Sequence, residues 1–365
     1  MDFAQILREH WSAFVQAAEG PIPSRAWAAV EAVLSCRTPR RGGRLHHCIS
    51  CQRSHFLYHS CNHRACPRCG GRDAALWSRR QEARLLPVPY YLLTITVPAE
   101  LRPAFLLFPA ELYPAFFAAK TAALKSLCAS PKYLGGQSAF VSVLHTWTRR
   151  MFYHPHLHSL IPAVGLSDTG SFLHHPRYED YLVPHKALAR ATRDALRSLL
   201  TTHHPDLLAR IPSAVWQMAW IAQCQPAGRG RSALRYLAAY VKKTAFHQDR
   251  LEGFDSSGSL ILRYRDSSDN SLKREALTPH ELIRRWLLHV LPKGLVRVRH
   301  YGWLSPAAHK ALRRVRFLLG LGPCRVPPAE PSEPPRCPCC QGPLAFLGSI
   351  GPVRGPPLSR LILAQ

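Results

Sequence analysis

The sequence predicts an α+β protein in which an N-terminal helical zinc-binding module precedes a domain with a central antiparallel sheet flanked by helices. Three observations support this fold class. Six of the twelve cysteines lie between residues 36 and 69. Apolar residues recur at helical spacing before that cluster, and β-branched strands alternate with helical segments after it.

The composition favours a soluble nucleic-acid-binding protein. Its 365 residues suggest two or three domains, at roughly 150 residues per domain. The formal charge of +26 favours a polyanionic partner, because each phosphate contact releases a counterion. The mean hydropathy is -0.13, and no apolar run approaches the roughly 20 residues of a membrane span. With Asp2 near the N-terminus and no secretory segment, we expect a cytoplasmic protein without a membrane partner.

The first domain is expected to span residues 1–86. Apolar spacing over residues 2–35 predicts two short helices, split by the glycine and prolines of residues 20–23. A helix over residues 71–86 is predicted to lead out of the cysteine cluster and to end before Pro87 and Pro89.

The second domain is expected to span residues 87–250 and to carry most of the sheet. Strands are predicted at 91–97, 140–145, 156–161 and 215–223, and helices at 111–127, 185–200 and 232–245. The runs 140–145 and 156–161 are close enough in sequence to pair as neighbours. Ser232 is the expected N-cap of the last helix.

The remaining chain divides into an α+β extension over residues 251–320 and a proline-rich tail over residues 321–365. The extension is predicted to hold two short strands, a helix through 281–289, a strand at 295–300 and a basic last helix. We expect the tail to be flexible apart from its cysteines, Cys337, Cys339 and Cys340.

The strongest local motif is a pair of Cys-x2-Cys units. Cys48-x2-Cys51 is followed after fourteen residues by Cys66-x2-Cys69. This spacing lets both thiolates of a unit reach one tetrahedral zinc ion, so the two units are predicted to close a structural Zn²⁺ site. Four further potential metal ligands lie between the two units: His55, His59, Cys61 and His63. They leave open a second metal ion or a different set of ligands. Of the four, Cys61 is included among the predicted zinc ligands.

The motif His154-Pro-His156-Leu-His158 indicates a half-built metal site. Alternate residues of a strand share a face, so His156 and His158 are expected to point together. Neutral imidazoles leave a divalent ion with open positions, which suits the polarisation of a scissile phosphate. The alternative is a histidine-rich surface strand. Pro155 is expected to break the strand and to leave His154 just outside it.

The predicted helix 232–245 adds a candidate nucleophile pair. At 100° per residue, Tyr236, Tyr240 and Lys243 fall within roughly 60° of one another on a helix. The apolar stripe of the same helix lies apart from them and consists of Leu234, Leu237 and Val241. Two phenols beside a lysine offer a nucleophile for a phosphodiester and a cation for its charge.

Taken in order, these motifs resemble the HUH transposases of the insertion sequence ninety-one family, the two-tyrosine rolling-circle transposases. The resemblance covers roughly residues 30–320. It rests on the cysteine units with His59-Ser-Cys61-Asn-His-Arg-Ala-Cys66, on Leu144-His-Thr-Trp147 with the histidine motif, on the tyrosine pair, and on Leu291-Pro-Lys-Gly294 with Arg299-His-Tyr-Gly302. The sequence departs from the family at Ala163-Val-Gly165, where a glycine run is usual, and at Gln225, where a lysine is frequent.

The resemblance implies an HUH-type nuclease domain that nicks and joins single-stranded DNA. His156 and His158 would be ligands of a catalytic Mg²⁺ or Mn²⁺, Tyr236 and Tyr240 the paired nucleophiles, and Lys243 the basic residue that follows them. No motif gives the third metal ligand. His154, His145 and Gln223 are the candidates, and His154 is favoured.

The expected reaction leaves a 5′-phosphotyrosine and a free 3′-OH, with transposon ends and target DNA as partners in the bacterial nucleoid. No GxxxxGK[ST] loop is present in the sequence, in agreement with a reaction that needs no nucleotide cofactor. The alternatives are a rolling-circle replication initiator or relaxase, and a non-catalytic zinc-dependent DNA-binding protein.

Overall fold

A computed structural model describes residues 1–69, 71–241, 245–266, 268–324, 328 and 334–364, with only the backbone at 71–74, 239–241 and 364. Its helices are α1 Phe3–Gln16, α2 Ser24–Leu34, α3 Gly71–Glu82, α4 Arg102–Leu107, α5 Pro109–Ala129, α6 His185–His203, α7 Pro205–Ala209, α8 Arg231–Val241, α9 Pro279–Leu287, α10 His309–Leu318 and α11 Leu358–Leu361.

Thirteen strands are assigned within the same residues. They are β1 Gly43–Cys48, β2 Ser54–Tyr58, β3 Tyr90–Thr96, β4 Phe140–Trp147, β5 Tyr153–Pro162, β6 Gly165–Leu166, β7 Leu173–His174, β8 Ile221–Pro226, β9 Leu251–Phe254, β10 Leu260–Arg265, β11 Leu272–Leu277, β12 Val298–Tyr301 and β13 Leu344–Ile350. Among these described elements, no helix has both the length and the apolar character needed to cross a membrane.

The central sheet has the strand order β12-β4-β5-β3-β8, and every neighbouring pair in it is antiparallel. Because side chains alternate along a strand, the sheet buries two separate faces. Leu144 and Leu157 belong to the core that also contains the helix residue Phe116. Val143 and Leu160 belong to the opposite core, with Leu237 of α8. The sheet is therefore covered on both sides.

The N-terminal helices pack against the C-terminal part of the chain. Phe3 of α1 meets Phe246 and Trp286 edge to face, at centroid distances of 5.1 and 5.0 Å. Trp11 and Val30 lie in the same buried cluster. This cluster joins the first helices to α9 and its neighbours.

The α+β class, the N-terminal cysteine-rich module and the antiparallel sheet are confirmed. The pairing of the two runs predicted as neighbours is confirmed by β4 and β5. The strand predicted at 215–223 begins later in the structure, at Ile221, and extends to Pro226. The preceding residues Ser213–Trp216 form a short 3₁₀ helix. Trp216 and Trp220 are buried in the core although neither lies in a strand. The apolar residues of this segment therefore reflect burial rather than a strand. Ser232 is not the N-cap, since α8 already begins at Arg231.

The expectation of a flexible tail is wrong for its described part. β13 pairs antiparallel with β1, which also pairs with β2, and the sheet order is β13-β1-β2. Helix α11 lies against α2. The free edge of β1 explains the ordering, because its backbone N–H and C=O groups need partners.

Candidate metal and nucleophile site

Three imidazoles converge on one face of the central sheet. His145 of β4 lies directly opposite His156 of β5, and His158 is two residues further along β5. One ring nitrogen from each of the three lies within 4.8 Å of the other two. The shared face predicted for His156 and His158 is confirmed, and Leu157 between them is buried in the opposite core.

Hydrogen bonds fix the orientation of two of these rings. His156 Nδ1 lies 2.6 Å from the carbonyl oxygen of His154, and His158 Nδ1 lies 2.8 Å from Thr94 Oγ1. Each contact occupies Nδ1 and leaves Nε2 for another partner. The buried Nε2 of His158 has no hydrogen-bond partner among the described residues. A metal ion would supply that partner, so the donor set fits a divalent ion.

Burial keeps the three imidazoles neutral near pH 7. It lowers the pKa of His156 to about 4 and that of His158 to about 3. The pKa of His145 lies well below its ordinary value, first because of burial and then because of His158 and His156. A neutral imidazole is the form that binds a metal.

The third imidazole is His145, and the preference for His154 is corrected. His154 shares the face of His156, with 5.2 Å between their ring centroids. Its Nδ1 lies 3.0 Å from Arg102 Nη2, however, which turns the ring toward that guanidinium. His154 is therefore not part of the converging group. Gln223 is opposite Thr94 on β8, about 10 Å or two strand spacings from His158.

Pro155 does not end the strand. β5 begins at Tyr153, so His154 lies inside it. The pairing of β4 with β5 shifts register between His145 and Trp147, and this irregularity removes the need for an N–H at Pro155. The carbonyl oxygen of Pro155 still accepts a hydrogen bond from Val97 N.

Helix α8 places Tyr236 over the histidines. The ring of Tyr236 is 5.5 Å from that of His158 and 6.3 Å from that of His145, between centroids. Leu234 and Leu237 are buried in the core between α8 and the sheet, whereas Tyr236 is 40% exposed. The separation of the tyrosine from the apolar stripe is therefore confirmed for the described side chains. Tyr240 lies one turn further along α8, but its side chain and the whole of Lys243 are outside the described residues.

A close contact between α8 and β3 fixes this arrangement. Gly230 precedes α8 with φ of 76°, and a Cβ there would lie 2.8 Å from Tyr90 Cγ. Tyr90 N donates to the carbonyl of Gly228, and its own carbonyl accepts from Ala227 N. The helix therefore starts against the strand that also carries Thr94.

One cysteine centre lies entirely in the N-terminal module. Its four members have their thiol sulfurs within 4.8 Å of one another: Cys36, Cys61, Cys66 and Cys69. Cys69 Sγ is 3.4 Å from Cys36 Sγ and 3.6 Å from Cys61 Sγ. Four thiolates at such distances match the ligand set of a structural zinc site.

The prediction that the two Cys-x2-Cys units share one zinc is wrong in its pairing. Cys48 and Cys51 lie against Cys337 and Cys340 instead. The sequence reasoning missed Cys36, for which no spacing gave a signal. It also missed the Cys337-x2-Cys340 pair, although that spacing repeats the one at Cys48.

A basic groove runs between the first cysteine centre and the central sheet. Its volume is about 790 Å³, and its lining includes Arg25, His63, Arg64, Trp77, Lys293 and Arg297. The guanidinium of Arg297 lies 5.8 Å from the Trp147 ring centroid, and Trp147 stacks on His145 at 6.0 Å. Arg297 and Trp147 therefore link the lining of the groove to His145.

Two family models match the chain in the order of its two parts. Residues 6–97 match the family described as "Transposase zinc-binding domain", and residues 139–312 match the family described as "Putative transposase". The first match contains all four cysteines of the Cys36 centre, and its description supports structural zinc in this domain. The second match contains the three histidines and α8.

Curated relatives are similar over most of their length. The chain is 26% identical to "Putative transposase y4qJ" of Sinorhizobium fredii, covering 98% of this chain and 97% of the relative. It is also 26% identical to "Transposase for insertion sequence element IS801" of Pseudomonas savastanoi pv. phaseolicola, covering 79% and 72%. No solved structure matches the chain. The matches and their order show a transposase, a DNA-processing enzyme with an N-terminal zinc-binding domain, that is similar to the transposases of the insertion sequence ninety-one family.

Proposed function

We propose that this transposase cuts and joins single-stranded DNA with Tyr236 as a nucleophile and with His145, His156 and His158 as ligands of a divalent ion. The observation that carries the proposal is the position of the Tyr236 ring, 5.5 Å from that of His158 and above the three converging imidazoles. A phenol beside a metal site is suited to attack on a phosphodiester.

In the cutting step, the phenolic oxygen of Tyr236 attacks the phosphorus and releases its proton. The bond from phosphorus to the 3′ oxygen breaks, and that oxygen takes up a proton to become a free 3′-OH. The phosphate remains on the enzyme as a 5′-phosphotyrosine. A bound Mg²⁺ or Mn²⁺ would neutralise charge on the scissile phosphate. Attack of a 3′-OH on the phosphotyrosine reverses these bond changes, so joining needs no ATP.

Tyr240 is the second proposed nucleophile. Residues four apart on a helix have Cβ atoms roughly 5–6 Å apart, so both phenols can reach one ion in turn. One strand can then be held covalently while another is cut, as rolling-circle transposition requires. Lys243 is proposed, on the family resemblance, to supply positive charge to the phosphate.

Single-stranded DNA is proposed to enter along the basic groove. Arg25 and Lys293 offer positive charges for phosphates, and Trp77 offers a ring on which a base can stack. Arg297 in the lining of the groove contacts Trp147, which stacks on His145. The transposon ends and the target are the DNA segments that this path would hold.

A covalent-adduct assay tests the proposal. The purified protein is incubated with Mg²⁺ and labelled single-stranded DNA that contains the element's terminal sequence, and denaturing gels report the adduct. We expect adducts from Tyr236→Phe and from Tyr240→Phe, each on the remaining tyrosine, and none from the double variant. Tyr301→Phe, on β12 of the central sheet, serves as the control and should behave like the unaltered protein.

An adduct in the double variant would show that the nucleophile lies elsewhere. DNA binding without any adduct in the unaltered protein would favour a non-catalytic role for the chain. Mass spectrometry of the adduct peptide identifies the modified tyrosine directly.

A further inference from the structure

The second cysteine cluster joins the two ends of the chain. Cys48 Sγ lies 3.4 Å from Cys340 Sγ, and Cys51 Sγ lies 3.5 Å from Cys337 Sγ. All four sulfurs lie within 4.8 Å of one another. We propose that this cluster binds a second structural zinc ion, half of whose ligands lie outside the zinc-binding family match at residues 6–97.

The two cysteine pairs sit in hairpins with the same backbone hydrogen bonds. Gln52 N donates to Cys48 O at 2.9 Å, and Cys48 N donates to Arg53 O at 2.8 Å. At the other end of the chain, Gln341 N donates to Cys337 O at 2.9 Å, and Cys337 N donates to Gly342 O at 2.9 Å. The i+4 and i+5 pattern is therefore the same in both hairpins.

The residue after each pair adopts the same unusual backbone conformation. Gln52 and Gln341 both have φ of 59°, in the left-handed region that non-glycine residues seldom adopt. The sequence repeats accordingly as Cys-x2-Cys-Gln at residues 48–52 and 337–341. Two equal hairpins that present two thiols each are the usual way to assemble a Cys₄ zinc site.

Neighbouring donors are placed to stabilise thiolates at this cluster. Cys51 N donates to Cys48 Sγ at 3.5 Å, and Cys339 N donates to Cys337 Sγ at 3.4 Å. His55 Nε2 lies 3.2 Å from Cys337 Sγ. Such contacts to ligand atoms orient them and offset part of their negative charge.

The local core is too small to hold this part of the fold without a metal. The buried cluster consists of Cys48, Cys337 and Leu344, with Cys51 packed against it. Meanwhile the surrounding three-stranded sheet exposes large apolar side chains, among them Phe56 and Phe346. Small modules with so little buried surface usually depend on a metal or a disulfide.

The sulfur distances favour zinc over disulfides. Sulfurs in a disulfide are about 2.05 Å apart, whereas tetrahedral ligands with Zn–S bonds of about 2.3 Å have sulfurs about 3.8 Å apart. The observed 3.4 and 3.5 Å are closer to the second value. The close approach of all four sulfurs also fits one shared ion better than two separate bonds.

Metal analysis of the full-length protein tests the proposal. We expect two zinc ions per chain after dialysis against excess Mg²⁺, and one in the double variant Cys337→Ser/Cys340→Ser. Cys339→Ser is the matched control, because Cys339 is the neighbouring thiol outside the four-sulfur cluster and its sulfur lies 3.6 Å from Arg53 Nη1. This control should keep both zinc ions.

A count of one zinc per chain in the unaltered protein would overturn the proposal, even if the double variant fails to fold. Loss of zinc from the Cys339→Ser control would overturn the ligand set. Alkylation of denatured, unreduced protein should detect all twelve cysteines as thiols. If four thiols are missing from this count and they map to Cys48, Cys51, Cys337 and Cys340, the cluster holds disulfides and not zinc.

Discussion

Tyr236 meets His158 edge to face, with 5.5 Å between ring centroids and 88° between ring planes. The tyrosine comes from a helix and the histidine from the middle strand of the sheet beneath it. Their contact therefore depends on how α8 packs on the sheet. Mutations in that packing contact should affect the reaction even though both side chains are unchanged.

His145→Ala should reduce the nicking rate more than His154→Ala does. Loss of an outer-sphere partner typically costs a metal site roughly 10- to 100-fold, so loss of His145 as a ligand should cost at least about 100-fold. His154 orients His156 through its backbone carbonyl, which alanine retains, so its variant should lose less than about tenfold. Nicking rates at saturating Mg²⁺ provide the measurement. Equal losses would return His154 to the ligand set.

Gly230→Ala should weaken the packing of α8 against β3 and lower the stability of the protein. The added Cβ would lie 2.8 Å from the Tyr90 ring, where the backbone is also in the left-handed region. Overpacking and strain of this kind usually cost about 1–3 kcal/mol, and nicking should fall with stability. Gly228→Ala is the control, because its φ of 54° is also positive but no atom lies within 4 Å of its Cβ position. Urea unfolding of both variants separates the Tyr90 contact from backbone strain, and equal losses would contradict the role of that contact.

Lys293→Ala should weaken binding of single-stranded DNA and flatten its salt dependence. For each phosphate that the protein no longer neutralises, the slope of log K against log salt should fall by about 0.7. Lys132→Ala is the control. Lys293 lines a pocket with Ala110 and Pro114 in the first turns of α5, and Lys132 follows the far end of that helix, about 30 Å away at 1.5 Å per residue. Titrations at several salt concentrations should leave the control unchanged. A matching decrease in both variants would indicate general charge attraction rather than a groove.

Lys120→Met should stabilise the fold, most at low pH. Lys120 is completely buried, donates to Ser142 Oγ at 2.7 Å and lies 4.0 Å from the Phe140 ring centroid. Burial lowers the pKa of its amine well below the ordinary value. The unfolded chain therefore binds the extra proton, and the stability of the unaltered protein should rise from pH 6 to pH 9. Methionine removes this dependence, with an expected gain of about 1 kcal/mol or more at pH 6. Urea midpoints at both pH values test this, and a gain that grows with pH would contradict it.

The sequence allowed local features to be predicted and left most long-range pairings open. Strand alternation was enough to place His156 and His158 on one face, and helical periodicity was enough to separate Tyr236 from Leu237. His145 joins His156 and His158 only because of the register of β4 against β5. That register includes an irregularity after His145. Spacing cannot reveal such a register.

The cysteine pairing shows the same limit more strongly. Cys-x2-Cys identifies two ligands of one ion, but the partner pair is chosen by tertiary structure. The nearest pair in sequence, Cys66 and Cys69, lies with Cys36 and Cys61. The partners of Cys48 and Cys51 follow only after β13 is known to pair with β1. Contacts at such separation depend on the whole intervening fold.

The closeness of Cys51 to Cys337 also sets an order of events during synthesis. The two residues are 286 positions apart, and at roughly 5–20 residues per second a ribosome needs about 15 seconds to a minute to make the chain between them. Throughout that interval, the central sheet and α8 emerge while Cys48 and Cys51 remain an open thiol pair. A chain whose translation stops before Cys337 keeps that pair uncovered, with β1 lacking its second neighbour. Incomplete transposase molecules would thus differ from finished ones at their N-terminal end, where proteases and chaperones can act on them.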